Sequence, residues 1–449
     1  MKKIIALLML LGTMVAWQCG GPGKDKLPQE FNFTPDLNLL GVDPEQVESI
    51  DSLLQSFVDE NKHSCITAFI AKSGNVIYNK AFGWKDVENR IPATTEDYYV
   101  LFSQTKAITT AAFMTLVEKG LVAVDDPVSK FFPGIPDRVI TKVNPDGTYE
   151  TCPVTAPMTF AHLMSHSSGL GAGLVGEIRR AEAERRGAPA SFSEPPSGTA
   201  PCGQRSYYYG MEYMFPTLEE VMLDLARYPL GFDPGTEWDY HISTNMLAYM
   251  IERISGKTLR EYVKETILEP LGMEHTDWYY ASEELERFVK PYNAVDGKLE
   301  PYTTMFSDGT VCEDQTYCEG GLGLNGPIGD YARFCQMMLN KGTFNGRRIL
   351  KAKTVELMTT INYLPEVNSG GKGFRFGLGF ELYNELKKPA PAVSNTAYAW
   401  GGMLGTEYMI DPENDMIVLY YINMFKREFT YPKFLSKVYE LLPDKEGDY

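Results

Sequence analysis

Strand-like runs stand at both ends of this 449-residue chain, and their separation constrains the fold more than any other feature. Residues 65–72 and 76–83 are two such runs, joined by the turn Ser73-Gly74-Asn75. Near the other end, further β-like runs occur at 376–380, 397–406, 407–410 and 416–421, with a turn at 411–415. Because the first two strands need partners, we predict one antiparallel sheet that joins both ends of the chain.

Apolar residues at helical spacing flank the predicted sheet, which indicates a helix before its first strand and another after its last. They are Val47, Ile50, Leu53, Leu54 and Phe57, and later Phe434, Leu435, Val438 and Leu441. A hydrophobic fraction of 44% supports an ample core. We therefore expect an α+β fold with one domain at 45–440 and a C-terminal tail at 441–449. An α/β lobe of about 45–115 and 335–440 would carry an inserted, mostly helical lobe of about 116–334.

The tetrapeptide Ser103-Gln104-Thr105-Lys106 begins an apolar run at 107–114, which indicates a buried helix. Residues three apart lie on one helix face, so the Lys106 amine can reach the Ser103 hydroxyl. Burial lowers the pKa of a lysine below about 10.4, and the unprotonated amine is a base. Free N–H groups in the first helical turn favour an oxyanion there. The pair is a candidate nucleophile with its base, and a capping serine beside a snorkelling lysine is the structural alternative.

The same spacing occurs again in Ser369-Gly370-Gly371-Lys372. The two glycines oppose a helix, so this second serine and lysine have no fixed geometry. A serine three residues before a lysine should occur by chance about once or twice in a chain of this size. The motif at Ser103 therefore gains its meaning from the segments around it.

Those segments resemble the serine β-lactamase and penicillin-recognising superfamily over nearly the whole of 45–440. In that family a hairpin leads to a Ser-x-x-Lys helix and then to an Asp-Asp-Pro-Val segment, which Asp125-Asp126-Pro127-Val128 matches. Other similar segments are 159–170, 234–240, 270–273 and 320–324. The resemblance implies a β-lactamase/transpeptidase-like fold with Ser103 as the nucleophile and Lys106 beside it.

Tyr240 follows Pro234-Gly235-Thr236-Glu237-Trp238, where the family places a tyrosine that exchanges protons with the nucleophile and the leaving group. Because tyrosine stays protonated to about pH 10, a phenolate in this role needs two cations, and Lys106 is expected to be one of them. Lactamases and D,D-peptidases carry a substrate-binding asparagine two residues after this tyrosine. Ile242 stands at that position here and cannot make the same contact.

A predicted strand near the C-terminus contains Trp400-Gly401-Gly402-Met403. Lactamases carry Lys-Thr-Gly there, whereas Trp-Gly-Gly most resembles the family VIII carboxylesterases and acyltransferases of the same fold. Glycines let a substrate carbonyl approach the backbone. The resemblance implies an oxyanion hole made by the N–H groups of Ser103 and Met403. It also implies substrate contacts at Trp400, Gly401, Gly402 and Ile242; a glycine-rich bulge with a packed tryptophan is the structural alternative.

The first residues predict export. Lys2-Lys3 precede the apolar run 4–17, which is too short for a membrane span and is typical of a signal peptide at 1–18. Cys19 follows, at the position of a lipidated cysteine, and 19–44 would be a tether. Gln18 stands where lipoprotein signals usually carry a small residue, so ordinary cleavage nearby is the alternative. We expect a periplasmic protein or an outer-membrane-anchored lipoprotein.

Net charge and the use of histidine and cysteine argue against several classes of binding partner and site. The net charge of −17 argues against nucleic acid and against a purely electrostatic hold on anionic lipid. His162 and His166 are four residues apart on a predicted helix, a spacing that would suit zinc. Their place in the family-like segment implies a structural hydrogen-bonding role instead. We therefore predict neither a metal site nor a cofactor. Cys65 and Cys335 are predicted to be buried thiols, and Cys312 with Cys318 is a candidate disulfide.

These observations predict an exported serine hydrolase that attacks a small-molecule ester or amide through a Ser103 acyl-enzyme. A carboxylesterase or acyl-transferring enzyme ranks first, because Ile242 and Trp400 replace two polar contacts that β-lactam and peptidoglycan substrates usually find. A β-lactamase or D,D-peptidase is the alternative, and a non-catalytic ligand sensor on the same scaffold is the third. Residues 171–216 are predicted to be a long excursion over the site mouth that sets substrate preference.

Overall fold

The computed structural model describes most of the chain from residue 27 onward. The described residues are 27–144, 148–171, 173, 175, 178, 182, 205–208, 211–214, 217–240, 242–302 and 317–442. The predicted signal peptide, Cys19, Cys312 and most of the 171–216 excursion lie outside them, as does most of the predicted tail. No helix in the described part of the chain is long and apolar enough to cross a membrane.

The predicted sheet is confirmed. It has seven strands, and both ends of the chain contribute to it, because the N-terminal hairpin pairs with the C-terminal strand Met416–Tyr421. All neighbouring strands of this sheet run antiparallel. The hairpin turn needs a left-handed conformation at Ser73 and Gly74, where φ is 50° and 74°.

In chain order the strands are β1 Cys65–Lys72, β2 Asn75–Asp86, β3 Ile91–Pro92, β4 Tyr99–Val100, β5 Arg138–Val143, β6 Tyr149–Pro153, β7 Arg205–Tyr208, β8 Met211–Met214, β9 Tyr292–Val295, β10 Lys298–Pro301, β11 Asn325–Gly326, β12 Thr343–Phe344, β13 Arg347–Arg348, β14 Glu381–Leu382, β15 Tyr398–Gly401, β16 Thr406–Asp411 and β17 Met416–Tyr421. The large sheet has the order β14-β15-β16-β17-β1-β2-β3. The α-helices are α1 Pro44–Asp59, α2 Thr105–Glu118, α3 Phe160–Met164, α4 Leu218–Leu225, α5 Ser243–Ser255, α6 Leu259–Val263, α7 Glu269–Leu271, α8 Ile328–Leu339, α9 Ala352–Thr360 and α10 Tyr431–Tyr439.

Helices cover both faces of the sheet. The two helices predicted at the chain ends, α1 and α10, pack together against one face. On the other face α8 contacts β1, β16 and β17, and α2 lies in the same core. The strands β1 and β17 are therefore buried along almost their whole length. This second face, where α2 meets the sheet, is the one that carries the candidate site.

Two local expectations were wrong or incomplete. Residues 376–380 do not form a strand, because the backbone bends at 378–380, with a φ of 89° at Gly379, and the strand begins at Glu381. Part of the predicted tether packs on the domain. The ring of Phe31 lies 5.2 Å from that of Phe69, and Asn32 bridges to Asn75, because this stretch supplies apolar and hydrogen-bonding groups to the hairpin.

Candidate active site

Ser103 lies in a tight turn between β4 and α2. The prediction placed it in the first turn of the helix, but Phe102–Gln104 form a 3-10 turn and α2 begins at Thr105. Phe102 has a left-handed φ of 45°, which a side chain other than glycine adopts only under constraint. The constraint comes from Gln104, whose amide oxygen accepts from the Tyr421 hydroxyl and whose carbonyl accepts from Tyr331.

Lys106 reaches Ser103 as the spacing predicts. Its Nζ lies 3.1 Å from Ser103 Oγ and 2.8 Å from the carbonyl oxygen of Gly321. The lysine is 2% exposed, which confirms the predicted burial. Desolvation lowers the pKa of Lys106 from 10.5 to about 7, and Glu319 opposes this shift. An unprotonated amine is therefore accessible near neutral pH, in contact with a serine hydroxyl.

Tyr240 completes a cluster with these two residues. It is hydrogen-bonded to Ser103, and the indole N–H of Trp400 donates to its hydroxyl at 2.7 Å. Lys106 Nζ lies 4.7 Å from the centre of the Tyr240 ring. Desolvation raises the pKa of Tyr240 well above 10, although the hydrogen bonds to Ser103 and Trp400 oppose the shift.

The expected phenolate held by two cations stays a prediction, although burial favours the protonated phenol. Trp400 supplies a neutral N–H in place of a second cation, and Lys106 titrates low enough to be neutral itself. A protonated phenol at Tyr240 can donate to Ser103. The geometry places the Lys106 amine within hydrogen-bonding distance of Ser103 Oγ, where it is a candidate base.

The Trp-Gly-Gly strand runs beside the Ser103 turn. A Cβ at Gly402 would lie 2.5 Å from the carbonyl oxygen of Leu101, so only glycine allows this approach. A Cβ at Gly401 would lie 2.1 Å from a carboxylate oxygen of Glu407. Met403 follows with its side chain 42% exposed, and its carbonyl accepts from Arg427 at 2.9 Å. Within the described part of the chain, the N–H of Met403 has no acceptor.

The sequence model of the Beta-lactamase family matches residues 50–433, which include the whole of this cluster. The chain belongs to the β-lactamase family. It is a serine hydrolase of that family.

Relatives with named activities cover most of this β-lactamase-family chain. Esterase EstB of Burkholderia gladioli is 26% identical, over 83% of this chain and 89% of its own length. Lovastatin esterase of Penicillium rubens is 28% identical, over 82% and 90%. Among solved structures, EstCE1, a hydrolase with promiscuous acyltransferase activity, has a TM-score of 0.67 at 22% identity and covers 88% of this chain and 98% of its own. At that identity the structural match supports the β-lactamase fold alone.

One predicted substrate contact is not brought to the site. Ile242 is 2% exposed and belongs to the main core. It immediately precedes α5, so its apolar side chain turns inward with the buried face of that helix. The position two residues after the tyrosine therefore contributes packing here, and the predicted substrate-binding role of Ile242 is not supported.

The two histidines of the family-like segment separate at the end of α3. His162 caps the start of this helix, since its Nδ1 accepts from the N–H of Thr159. His166 lies beyond the helix with a φ of 58°, so the two rings are not one turn apart on a helix as expected. The ring of His166 lies 4.6 Å from that of Tyr240, which places it against the catalytic cluster.

Sequence reasoning missed several residues that surround the site in this enzyme. Phe374 and Phe376 lie with Trp238 and Trp400 in one aromatic cluster next to Tyr240. Glu319 is buried close to Lys106, and Asn245 on α5 donates to its carboxylate at 2.8 Å. The only sequence signal was position, since Glu319 precedes the family-like glycines at 320 and 321.

The cysteine predictions are partly confirmed. Cys65 in β1 and Cys335 in α8 are buried free thiols, and burial raises the pKa of both. Cys318 is also buried, and it forms no disulfide with another described cysteine. Its suggested partner, Cys312, lies outside the described residues, so that pairing stays a prediction. The thiol of Cys152 is free and exposed.

Proposed function

We propose that this protein is an exported carboxylesterase or acyl-transferring enzyme that works through an acyl-enzyme on Ser103. The observation that carries the proposal is the hydrogen bond from Trp400 to Tyr240, whose hydroxyl is also bonded to Ser103 of the Ser103–Lys106 pair. It gives the strand beside the nucleophile a neutral aromatic donor at the position where lactamases present a cation to the substrate carboxylate. The names of two relatives, Esterase EstB and Lovastatin esterase, support the same reaction class.

The polar groups form one directed chain when Lys106 is neutral. The indole of Trp400 donates to Tyr240. In this proposal the phenol donates to Ser103 Oγ, with which it is hydrogen-bonded, and the serine hydroxyl donates to the unprotonated Lys106 Nζ, 3.1 Å away. Lys106 in turn donates to the carbonyl of Gly321. Each donor has one acceptor in this order, so the serine proton is directed at the base before substrate arrives.

Acylation then needs one proton transfer and one bond exchange. Ser103 Oγ attacks the ester carbonyl carbon while its proton moves to Lys106, and the carbonyl oxygen becomes an oxyanion. The N–H groups of Ser103 and Met403 stabilise that oxyanion, and a donor of this kind contributes roughly 10²- to 10³-fold in rate. The carbon–oxygen bond to the leaving alcohol breaks as the proton on Lys106 is delivered to the alkoxide, directly or through Tyr240.

Deacylation repeats the same steps with an acceptor. Water or an alcohol gives its proton to the neutral Lys106 and attacks the acyl carbon, and the proton then returns to Ser103 as its bond to the acyl group breaks. Water yields the carboxylic acid, whereas an alcohol yields a new ester. Hydrolysis and acyl transfer thus share one mechanism and differ only in which acceptor reaches the acyl-enzyme.

The surroundings of Ser103 favour an uncharged, apolar acyl group. Trp238, Phe374, Phe376 and Trp400 form the aromatic cluster beside Tyr240. Phe374 and Phe376 are themselves buried, so the partly exposed rings of Trp238 and Trp400 are the ones that can remove an apolar acyl group from water, at about 25 cal/mol per Å² of buried area. A substrate carboxylate would be desolvated there without the lysine that lactamases provide. We therefore place aryl and short-chain alkyl esters ahead of penicillins and D-amino-acid peptides.

Export is part of the proposal and rests on the sequence of residues 1–19. Expression of the full chain in a Gram-negative host, with radiolabelled palmitate, tests it directly. We expect label and membrane association in the parent and loss of both in Cys19→Ala. A protein that stays in the cytoplasm with its full mass would overturn export. An exported protein without label, cleaved near residue 19, would favour ordinary signal-peptide processing instead.

The decisive test of the reaction is intact-mass detection of the acyl-enzyme. The parent and Ser103→Ala are incubated with p-nitrophenyl esters, a D-alanyl-D-alanine peptide, a penicillin and a cephalosporin. We expect the acyl mass on the parent with the esters and no adduct on Ser103→Ala. Rapid acylation by a β-lactam with none by any ester would favour the lactamase or D,D-peptidase alternative.

A further inference from the structure

Glu319 is a buried carboxylate that the proposed reaction does not use. It is 3% exposed, and one carboxylate oxygen accepts from the side-chain amide of Asn245 at 2.8 Å. The other oxygen, Oε2, has no hydrogen-bond partner within the described residues. Burying a charged carboxylate with so few partners is costly, so such a group is retained where a nearby charge compensates it.

The backbone carbonyls of residues 319, 320 and 321 each accept a hydrogen bond from a side chain. The indole N–H of Trp278 donates to the carbonyl of Glu319 at 3.0 Å, and Thr109 on α2 donates to the carbonyl of Gly320 at 2.7 Å. The third carbonyl in the row, that of Gly321, accepts from Lys106 Nζ at 2.8 Å. Three consecutive carbonyls are therefore held by side chains from different parts of the fold, which leaves the segment little freedom.

Asn245 connects the carboxylate to the base. Its Nδ2 donates to Glu319, and its Oδ1 accepts from the N–H of Gly321 at 2.8 Å. The same Gly321 presents its carbonyl to Lys106. A Cβ at Gly321 would lie 3.0 Å from Asn245 Oδ1 and 3.4 Å from Lys106 Nζ, so a glycine allows this close packing. The carboxylate, the amide and the amine thus form one packed unit.

Few other titratable groups face this unit. Tyr240 lies over Lys106, and Cys318 precedes Glu319 in the chain. Burial raises the pKa of both above its ordinary value, so both are neutral near pH 7. Lys106 and Glu319 perturb each other: desolvation raises the pKa of Glu319 to about 7 and the lysine opposes this shift. Their protonation is therefore coupled, and the two titrate as a pair.

We propose that Glu319 is a positioning residue that acts through Lys106, holding the amine in place by way of Asn245 and Gly321 and setting the pH at which it becomes a base. This inference rests on the proposed function, since it assigns a role toward the base of that reaction. A carboxylate near the amine stabilises its protonated form. The ionised carboxylate therefore stabilises the protonated amine that forms when Lys106 takes the Ser103 proton, until that proton is delivered to the leaving group.

The test is the pH profile of kcat/KM for a p-nitrophenyl ester with Glu319→Gln. The glutamine oxygen can still accept from Asn245, so the hydrogen bond is preserved and only the charge is lost. Without the charge the pKa of Lys106 falls, and the acidic limb of the profile should move to lower pH by about one to two units. At pH 9, where the amine is neutral in both proteins, kcat should stay within about threefold of the parent.

Glu252→Gln is the matched control. Glu252 is a carboxyl group on α5 whose pKa desolvation raises to about 6, and it accepts from the N–H of Leu259. Among the described residues, Glu319 is the charged group that acts on the pKa of Lys106 and Glu252 is not, so the Glu252 variant should keep the parental profile. If Glu319→Gln does not fold, Glu319→Met of similar length must move the limb in the same direction. A second measurement, the pH dependence of labelling by a neutral fluorophosphonate, reports the same base without substrate binding.

The outcomes separate this inference from the proposed function. A parent that forms no acyl adduct on Ser103 with any ester contradicts the function itself. If the parent does form it, but the acidic limb of Glu319→Gln stays within about 0.3 units of the parent or moves upward, Glu319 has no influence on the base. An equal shift in Glu252→Gln would show a general effect of carboxylate removal and would also overturn the assignment.

Discussion

The indole N–H of Trp400 donates a hydrogen bond of 2.7 Å to the phenol oxygen of Tyr240, and the two ring centres lie 5.0 Å apart. This contact ties the C-terminal strand β15 to the segment that precedes α5, so the sheet and the helical part of the fold meet at the nucleophile. The indole N–H occupies one lone pair of the phenol oxygen, and the same hydroxyl is hydrogen-bonded to Ser103.

Trp400→Phe should therefore separate packing from hydrogen bonding. A phenylalanine keeps an aromatic ring against Phe376 and Tyr240 but cannot donate. Loss of one hydrogen bond to a group that acts in the transition state should lower kcat by roughly 10-fold, with a smaller change in KM. Steady-state kinetics with a p-nitrophenyl ester checks this, and an unchanged kcat would remove Trp400 from the proton path.

Trp400→Lys tests the substrate class. A lysine at this strand position should restore a charge-assisted contact to a substrate carboxylate, worth about 1.5 to 3 kcal/mol, or roughly one to two decades in affinity. The ratio of kcat/KM for esters to that for cephalosporins should then fall. In the parent, esters should be turned over far faster than either β-lactam class. A parent that prefers a cephalosporin to every ester would make the lactamase alternative the better reading.

Ser103→Ala should abolish both ester hydrolysis and labelling by a fluorophosphonate probe. The parent should be labelled once, because the oxygen of Ser103 lies against a desolvated amine. Ser369→Ala is the natural control, since Ser369 and Lys372 share the same spacing but lie in an exposed turn. Persistent labelling of Ser103→Ala would move the nucleophile to another residue.

Several parts of this picture followed from the sequence because they depend on local chemistry. The hairpin of β1 and β2 follows from two apolar runs around a turn at Ser73 and Gly74. The reach of Lys106 to Ser103 follows from a three-residue spacing. In both cases the residues involved are neighbours in the chain, so no tertiary information is needed.

Other parts depend on residues that are distant in the chain. Glu319 is buried only because Trp278, Asn245 and α2 surround it, and no local pattern marks it. The protonation of Tyr240 depends on its burial and on the groups around its hydroxyl, and one of these, Trp400, lies 160 residues away in the chain. Ile242 was assigned to the site by its distance from Tyr240, whereas the start of α5 turns it into the core.

The acidic limb of kcat/KM in the parent should lie near pH 7. Desolvation lowers the pKa of Lys106 to about 7, so below that pH the amine is protonated and cannot accept the Ser103 proton. Activity is therefore lost as pH falls through this value and retained above it.

Lys106→Ala and Tyr240→Phe should each lower turnover by roughly 10²-fold or more, with melting temperatures close to the parent. A parental limb below pH 5 would contradict a lysine base.

Gly402→Ala tests the close approach of the Trp-Gly-Gly strand to the nucleophile. A Cβ at this position would meet the Thr406 hydroxyl at 2.2 Å and the Leu101 carbonyl at 2.5 Å, so the strand must move away from the Ser103 turn. We expect a lower melting temperature and slower fluorophosphonate labelling, since the N–H of Met403 moves with the strand.

Gly329→Ala is the matched control. Gly329 is the second residue of α8 and a Cβ there would meet no atom within 4 Å, so alanine should leave labelling unchanged and should not lower the melting temperature. Equal labelling rates for both variants and the parent would show that the oxyanion donors do not depend on this approach.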